Sequence, residues 1–203
     1  MINQHCKIVV VACNTATVNS INNLRSKVAI PIVGVEPAIK PAALQSKTGV
    51  IGVLATEQTL ESESFQRLTS KYANKVSVET KACPQFVSLV ESLHHNSEQA
   101  VEVAERYIRP LLAKGCDQII LGCTHFSFLR PAINSVVGSE ANIIDTATPV
   151  ALEVKRKLHS LNLAATANNN GAIELWTSGD SAQAITSVSE LWQQDINVFK
   201  AAL

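Results

Sequence analysis

The sequence predicts an α/β fold of two doubly wound parallel-sheet domains with the active site in the cleft between them. Short apolar runs rich in Val and Ile recur along the chain, as expected for strands that are covered on both faces. Apolar residues at helical spacing follow these runs, and the alternation of strand and helix favours parallel sheets. Two runs, at 7–13 and 118–123, each close on a cysteine that is followed by small polar residues.

The amino-terminal part predicts a strand over 7–13 and a helix from about 15 to 27. The helix carries an apolar stripe at helical spacing, formed by Val18, Ile21, Leu24 and Val28. A short strand at 30–34 follows. A proline-punctuated short helix at 35–44 then crosses into the second domain.

The second domain is predicted over residues 38–145. Its strands are expected at 49–55, 75–80, 118–122 and 142–145. One helix, capped by Thr56 or Thr59, is expected to continue to Tyr72. Further helices are expected on the apolar positions of 84–93, 97–114 and 129–137.

The chain then returns to the first domain, which is predicted to combine residues 1–37 and 146–203. A helix is expected from Thr148 to about Leu161, and a surface loop at 163–171. A strand at 173–177 and a final helix that ends near Trp192 complete this domain.

Composition and charge exclude several classes of function. The chain of 203 residues has 17 basic and 17 acidic side chains, so it carries no net charge that would attract nucleic acid or an anionic membrane. No apolar run approaches the ~20 residues of a membrane span, and the amino terminus has no signal-peptide pattern. We therefore expect a cytoplasmic protein with neither nucleic-acid nor membrane partners.

The five cysteines lack any Cys-x-x-Cys spacing and are expected to be free thiols. Three of them are interpreted as packing residues, namely Cys6, Cys83 and Cys116. The histidines outside the second cysteine motif are assigned to solvent, namely His5, His94, His95 and His159. Cys13 and Cys123 differ, because polar residues of the size that contacts a ligand follow them directly.

Two thiols at the carboxyl ends of two strands suit proton transfer on one small ligand. A thiolate is a base and a thiol an acid, and a turn that opens a helix favours the thiolate. A base on one face of a carbon and an acid on the other invert its configuration without a cofactor. A zinc site is disfavoured because only Cys123 and His125 are close in sequence. Cysteine-nucleophile hydrolysis is also disfavoured, because two symmetric thiols fit proton transfer better.

Two motifs, Ala12-Cys13-Asn14-Thr15-Ala16 and Leu121-Gly-Cys-Thr-His-Phe126, resemble the cysteine motifs of the glutamate racemases. These enzymes belong to the cofactor-independent aspartate/glutamate racemase superfamily. The resemblance extends along nearly the whole chain, through the segments 31–43, 49–56, 83–87 and 177–180. It implies the conversion of L-glutamate to D-glutamate for peptidoglycan, with no cofactor and no metal.

The resemblance also implies roles for individual residues. Cys13 and Cys123 match the two catalytic bases, and His125 matches the residue that assists the second cysteine. The positions that match substrate-holding residues are Asn14, Thr15, Thr56, Thr59 and Thr124. Glu91 matches a glutamate beside the active site. Thr56 and Thr59 are explained equally well as helix caps, and Glu91 as a solvated helix residue.

The resemblance has one departure. Family members begin with a strand that ends in an Asp-Ser-Gly-like loop, whereas this sequence opens at the equivalent of the strand that carries Cys13. The first domain is therefore expected to be incomplete, with low stability and weak activity. An aspartate or hydantoin racemase and an inactive remnant or binding protein stay open as alternatives. Activation by a cell-wall precursor and a homodimer stay open as well.

Overall fold

The computed structural model describes residues 5–166 and 171–201 and confirms the α/β class. In chain order, the strands are β1 (Val9–Val11), β2 (Ile32–Gly34), β3 (Val50–Ala55), β4 (Ser77–Ala82), β5 (Gln118–Leu121), β6 (Asn142–Ile144), β7 (Leu175–Thr177) and β8 (Val198–Lys200). The α-helices are α1 (Asn14–Lys27), α2 (Ile39–Gln45), α3 (Glu57–Glu61), α4 (Glu63–Ser70), α5 (Pro84–Glu91), α6 (Glu98–Ala113), α7 (Arg130–Val137), α8 (Ala147–Ser160) and α9 (Ser181–Trp192). A 3₁₀ helix, Thr124–Leu129, precedes α7.

The largest sheet contains four parallel strands in the order β4-β3-β5-β6. The chain passes from β3 to β4 on one side and then returns to place β5 on the other side of β3. The strand order therefore reverses between β3 and β5. In open α/β sheets, ligands bind outside the carboxyl ends of the strands at such a reversal. Two further parallel pairs, β1-β2 and β7-β8, complete the sheets of the described residues.

Both faces of the four-stranded sheet are covered, because successive side chains of a strand point to opposite faces. Leu54, Ile119 and Leu121 pack on one face with α5, α6 and α7. Val53 and Ile120 pack on the other face with α2 and α4. This alternation of neighbouring residues between two buried clusters is the doubly wound arrangement that the apolar runs predict.

The helix predicted from Thr56 or Thr59 to Tyr72 is two helices, so that prediction is wrong. The Ser62 hydroxyl accepts a hydrogen bond from Phe65 N at 3.2 Å. Ser62 therefore caps α4, and its extended backbone ends α3 one residue earlier. Similarly, the segment after Cys123 begins as the 3₁₀ helix and becomes α-helical only at Arg130.

Three other predictions are corrected. His95 is buried, with 8% of its surface exposed, because it packs against the ring of Phe128. Strand β8 was not predicted, since its three residues follow a polar segment and carry a weak apolar signal. The strand at 173–177 shortens to β7, and the predicted loop at 163–171 lies partly outside the described residues.

Packing is uneven along the chain. Cys83 and Cys116 are buried as predicted, whereas Cys6 is half-buried. Helices α8 and α9 contain no buried residue. Within residues 5–166 and 171–201, no helix is both long and apolar enough to cross a membrane. The boundaries of the two predicted domains stay a prediction.

Candidate active site

The candidate site lies where β1, β3 and β5 end. Cys13 follows β1, Thr56 follows β3 and Cys123 follows β5. Each of these residues is the N-cap of the helix that comes next, and each has extended backbone dihedrals. The sequence places them there because an apolar run ends and a residue with a short polar side chain takes the cap position.

Cys13 is exposed, and its Sγ accepts a hydrogen bond from Ala16 N at 3.4 Å. Thr17, one turn further along α1, fixes this turn to the strands behind it. Its hydroxyl donates to Val11 O and accepts from Val35 N, both at 3.1 Å. The first thiol therefore sits at an anchored helix start and is open to solvent, as a base that must reach a ligand requires.

Cys123 is buried, with 8% of its surface exposed, and lies close to the backbone of β3. The preceding residue, Gly122, donates from its N–H to Leu54 O at 2.7 Å. A Cβ at Gly122 would lie 2.9 Å from that same oxygen, so only glycine fits. The absence of a side chain at Gly122 therefore allows β5 and its cysteine to approach β3 this closely.

The side chains of Cys123, His125 and Glu91 contact one another in series. His125 Nδ1 lies 3.8 Å from Cys123 Sγ, and His125 Nε2 lies 2.6 Å from Glu91 Oε1. The hydrogen bond with Cys123 raises the pKa of His125 to about 9, burial opposes this, and the hydrogen bond with Glu91 adds to it. The imidazole is therefore cationic at neutral pH, and it places a positive charge beside Cys123.

Aromatic packing brings Glu91 and His125 together, although they are 34 residues apart. Phe86 of α5 and Phe126 of the 3₁₀ helix are both fully buried, with ring centroids 5.2 Å apart and planes at 77°. This contact holds the end of α5 against the 3₁₀ helix, so the carboxylate meets the imidazole. Tyr107, which the sequence did not single out, packs edge-on against Phe86 at 5.2 Å.

A second cluster joins the two cysteine-bearing regions. Thr15 Oγ1 lies 2.8 Å from Thr56 Oγ1 and 3.0 Å from Thr59 Oγ1. Thr56 Oγ1 and Thr59 Oγ1 are themselves 3.0 Å apart. The first turn of α1 is therefore bonded to the carboxyl end of β3, which is the neighbour of β5. Thr56 also caps α3, accepting from Thr59 N at 3.3 Å, which confirms the capping role expected for it.

Asn14 and Thr124 lie directly after the two cysteines and belong to neither cluster. Asn14 is 2% exposed, and neither its Oδ1 nor its Nδ2 has a hydrogen-bond partner among the described residues. Such an unsatisfied buried amide is costly and requires a partner. Thr124 is half-buried, and its hydroxyl bonds no described residue. Among the described residues, the Asn14 amide therefore lacks the partner that its burial requires.

Cys83 is a third thiol near Cys123. Burial raises the pKa of Cys83 far above its ordinary value, with a small further rise from Cys123 and a small opposing effect of Lys81. Its Sγ donates to Lys81 O at 3.3 Å. Cys83 therefore stays protonated and cannot compete with Cys123 as a base, which agrees with its interpretation as a packing residue.

Comparison with known proteins shows the family of the chain and its fold. The model of the Asp/Glu/Hydantoin racemase family matches residues 1–154. The chain is 46% identical over 176 residues to the glutamate racemase of Herpetosiphon aurantiacus, covering 87% of this chain and 69% of that protein. The crystal structure of glutamate racemase isoform RacE1 from Bacillus anthracis is similar, with a TM-score of 0.84, 28% identity, and coverage of 97% and 74% of the two chains.

Another similar crystal structure is that of Escherichia coli glutamate racemase in complex with L-glutamate and the activator UDP-MurNAc-Ala. Its TM-score is 0.81 at 28% identity, covering 98% of this chain and 76% of that one. The family match exceeds half of the chain, and the relatives share its fold as well as its sequence. The chain therefore belongs to the Asp/Glu/hydantoin racemase family.

Proposed function

We propose that the protein interconverts L- and D-glutamate by proton transfer between two cysteines, Cys13 and Cys123. The observation that carries the proposal is the bonding of Thr15 to Thr56. Thr15 follows Cys13 by two residues, and Thr56 ends the strand beside the one that leads to Cys123. This bonding supports the proposal that the two thiols serve one ligand. The relatives that the chain resembles are themselves glutamate racemases, which supports this substrate.

The reaction needs one base and one acid on opposite faces of the α-carbon. One cysteine, as the thiolate, removes the α-proton, and the electron pair of the C–H bond passes into the α-carboxylate. The other cysteine, as the thiol, donates its proton to the opposite face, which completes the inversion. The reverse reaction exchanges the two roles. No oxidant, metal or cofactor takes part in this sequence.

The remaining residues hold the substrate and adjust the second thiol. Asn14, Thr15, Thr56 and Thr124 offer short polar side chains to the carboxylates and the ammonium group. The cationic His125 lies beside Cys123, and Glu91 holds the imidazole in place. His125 and Glu91 lie beside Cys123 and not beside Cys13. The two cysteines are therefore expected to differ in reactivity, although both transfer the α-proton.

The wider role follows from the same proposal. D-Glutamate would supply peptidoglycan synthesis in the cytoplasm of a walled bacterium. The E. coli relative was crystallised with UDP-MurNAc-Ala as its activator, so a cell-wall precursor is the activator to test here. The domain division into 1–37 with 146–203 and 38–145, and a homodimer, belong to this proposal as well.

The test is exchange of the substrate α-proton in deuterated water. The protein is expected to exchange the α-proton of L-glutamate and to lose this on Cys13→Ser or Cys123→Ser, by at least about a thousandfold. Cys6→Ser is the matched control, because Cys6 is a half-buried thiol outside the site. Undiminished exchange in either catalytic variant would refute the mechanism. Ligand-induced stabilisation without exchange would instead identify a binding protein.

Aspartate and hydantoin racemisation is the second candidate, because the matching family includes both activities. The same assay with L-aspartate and a hydantoin in place of L-glutamate decides between the candidates. Exchange that is faster with either of these than with L-glutamate would reassign the substrate and leave the two-cysteine chemistry intact.

A further inference from the structure

The four-stranded sheet ends on one side in β4, whose outer side is open. All six residues of β4 pair with β3 in regular register, and no described strand lies beyond it. Proteins usually protect such an edge with proline, a bulge or a very short strand. The segment 77–82 contains no proline or glycine, and its pairing with β3 has no bulge. The outer side of β4 is therefore able to pair with another strand.

The backbone of β4 offers a regular set of hydrogen-bonding groups on this side. Ser77 N donates to Gly49 O, before β3, at 2.7 Å. Alternate residues of a strand bond to the same neighbour, so the odd-numbered residues of β4 face β3. The N–H and C=O groups of Val78, Thr80 and Ala82 consequently point outward, and none of them has a partner among the described residues.

A groove lies between β4 and the carboxyl end of α4. Its volume is about 450 Å³, and Ser77 and Val78 line it together with the small side chains of Thr69, Ser70 and Ala73. Because these side chains are small, the groove offers room for the side chains of an added strand on this face of the sheet. Main-chain hydrogen bonds and such side-chain room are what the addition of a strand to a sheet edge requires.

The two charged residues of β4 indicate which strand fits. Glu79 and Lys81 are two residues apart, so their side chains point to the same face. Glu79 Oε2 lies 2.5 Å from Lys114 Nζ, which leaves its Oε1 without a described partner. Lys81 Nζ lies 5.7 Å from the centre of the Tyr107 ring and pairs with no described carboxylate. A lone lysine would protect the edge, whereas this pair of opposite charges is complementary to an antiparallel copy of itself.

One antiparallel register satisfies the backbone and the charges together. With Thr80 on a two-fold axis, Thr80 faces Thr80 of the second copy, and Val78 faces Ala82. Each copy then contributes three outward N–H donors, which gives six hydrogen bonds across the interface. Glu79 faces Lys81 of the second copy, and threonine opposite threonine is itself a favourable pair. A shift by two residues would instead place Glu79 or Lys81 opposite its own copy.

We propose that β4 is the interface of a homodimer, in which the β4 strands of two copies pair antiparallel with Thr80 on the two-fold axis. The two four-stranded sheets then form one continuous sheet of eight strands. Because the two copies run in opposite directions, their candidate active sites lie at opposite edges of this sheet, and both stay open. The proposal concerns association alone and does not depend on the glutamate chemistry.

The first experiment measures self-association by sedimentation equilibrium, at concentrations up to about 300 μM because an interface this small is expected to be weak. The wild type should change from monomer to dimer over this range. Thr80→Pro removes an outward N–H but no hydrogen bond to β3, so it should weaken the dimer about tenfold or more. Thr80→Val, the matched control, keeps the donor and should still dimerise. A monomeric wild type, or a dimer that Thr80→Pro leaves intact, would overturn the proposal.

The second experiment tests the register and does not need the proline variant to fold. Glu79→Lys and Lys81→Glu each place like charges opposite one another, so each variant alone should dimerise less than the wild type. An equal mixture of the two should associate, because every facing pair is then one lysine and one glutamate. Lys114→Ala is the control for the lost Glu79 contact and should dimerise like the wild type. A mixture that associates no better than its components would overturn the proposal.

The third measurement locates the interface. Amide hydrogen exchange at Val78, Thr80 and Ala82 should slow as the protein concentration rises, because these N–H groups become donors in the dimer. Ile143, whose N–H points outward at the opposite edge of the sheet, is the control and should not change. Unchanged rates in β4, or equal slowing at Ile143, would overturn the proposal. A dimer of this kind that exchanges no substrate α-proton would refute the proposed function and leave this inference intact.

Discussion

The region 38–145 and the remainder of the described chain have the same α/β pattern but differ in packing. Both buried clusters of the protein lie in 38–145, on the two faces of one four-stranded sheet. Among the other described residues, the buried apolar side chains are Ile21, Ile32, Val33 and Val35. A stretch of sequence can thus form strands and helices in the predicted order without forming a core of its own.

The exposed apolar residues make the contrast sharper. Within residues 5–166 and 171–201, nine large hydrophobic residues are highly exposed, and seven of them lie beyond residue 145, namely Leu152, Leu161, Ile173, Trp176, Ile185, Trp192 and Phe199. Parallel strands are normally buried on both faces, yet none of the side chains of the β7-β8 pair is buried. The free energy of packing therefore resides mainly in 38–145.

The two cysteines follow the same division. Cys13 lies in the less packed region, is exposed, and is bonded only by Ala16 N. Cys123 lies in the packed region, is buried, and has a cationic imidazole 3.8 Å away. Two motifs that are similar in sequence therefore provide two different environments for the same thiol.

The largest expected effect on the free energy of unfolding comes from a comparison of two phenylalanines, one in each region. Phe86→Ala should lower the free energy of unfolding by about 3 to 5 kcal/mol, because Phe86 is fully buried between two other aromatic rings. Phe199→Ala is the matched control in the other region, where Phe199 is 44% exposed, and it should cost less than about 1 kcal/mol. Urea denaturation measures both. Equal losses would show that the two regions are packed alike.

A smaller effect is expected at Asp117, which joins β5 to the loop before β3. Its carboxylate accepts hydrogen bonds from the Ser46 hydroxyl at 2.7 Å and from Lys47 N and Thr48 N at 2.5 and 3.0 Å. Asp117→Ala should cost about 1 to 3 kcal/mol, because several donors lose a charged acceptor. Asp195→Ala, at an exposed carboxylate in the other region, should have almost no effect.

Low pH should reduce the stability of the wild type in the same way as the Asp117→Ala substitution. Burial alone would raise the pKa of Asp117, but the hydrogen bonds from Ser46, Lys47 and Thr48 outweigh it and lower the pKa below its ordinary value. The stabilisation is therefore present above the ordinary Asp pKa, near 4, and is lost as the pH falls through the lower folded value. Wild type and Asp117→Ala should converge in stability below that pH; a constant difference would contradict this.

The smallest effect concerns the environment of Cys123. Glu91→Gln should lower the pKa of His125 from about 9 towards its ordinary value, because a neutral amide replaces the carboxylate at 2.6 Å. The cationic imidazole contributes fully to the free energy of unfolding below the ordinary His pKa, near 6.5. This contribution is lost as the pH rises through the pKa of His125 in the folded protein, so in Glu91→Gln it is lost at a lower pH.

NMR titration of the His125 ring in the wild type and Glu91→Gln measures this change. Glu102→Gln, at an exposed position of α6, is the control and should leave the titration unchanged. A pKa of His125 that is unaffected by Glu91→Gln would mean that Cys123 alone sets it, and that the Glu91 contact has no electrostatic role.

Much of the fold could be predicted from the sequence because local patterns report burial directly. Runs such as 50–55 and 119–121 are apolar at every position, and they form most of the two central strands of the large sheet. The caps at Cys13 and Cys123 were predicted from the change from an apolar run to short polar residues. The break of the helix at Ser62 was not predicted, although Ser62 caps its own helix through Phe65 N, three residues later. The burial of His95 was not predicted because it depends on Phe128, which is distant in sequence.

The sequence by itself determined the α/β class, the two cysteine turns and the residues beside them, since a strand end and a helix start are local features. Only the tertiary structure decided which of these residues meet. The contact of Glu91 with His125 and the bonds of Thr15 with Thr56 and Thr59 join positions 34 to 44 residues apart, and the reversal between β3 and β5 brings them to one edge. The tertiary structure also decided that Cys123 is buried and Cys13 is exposed, because the amount of packing around a thiol depends on the whole fold.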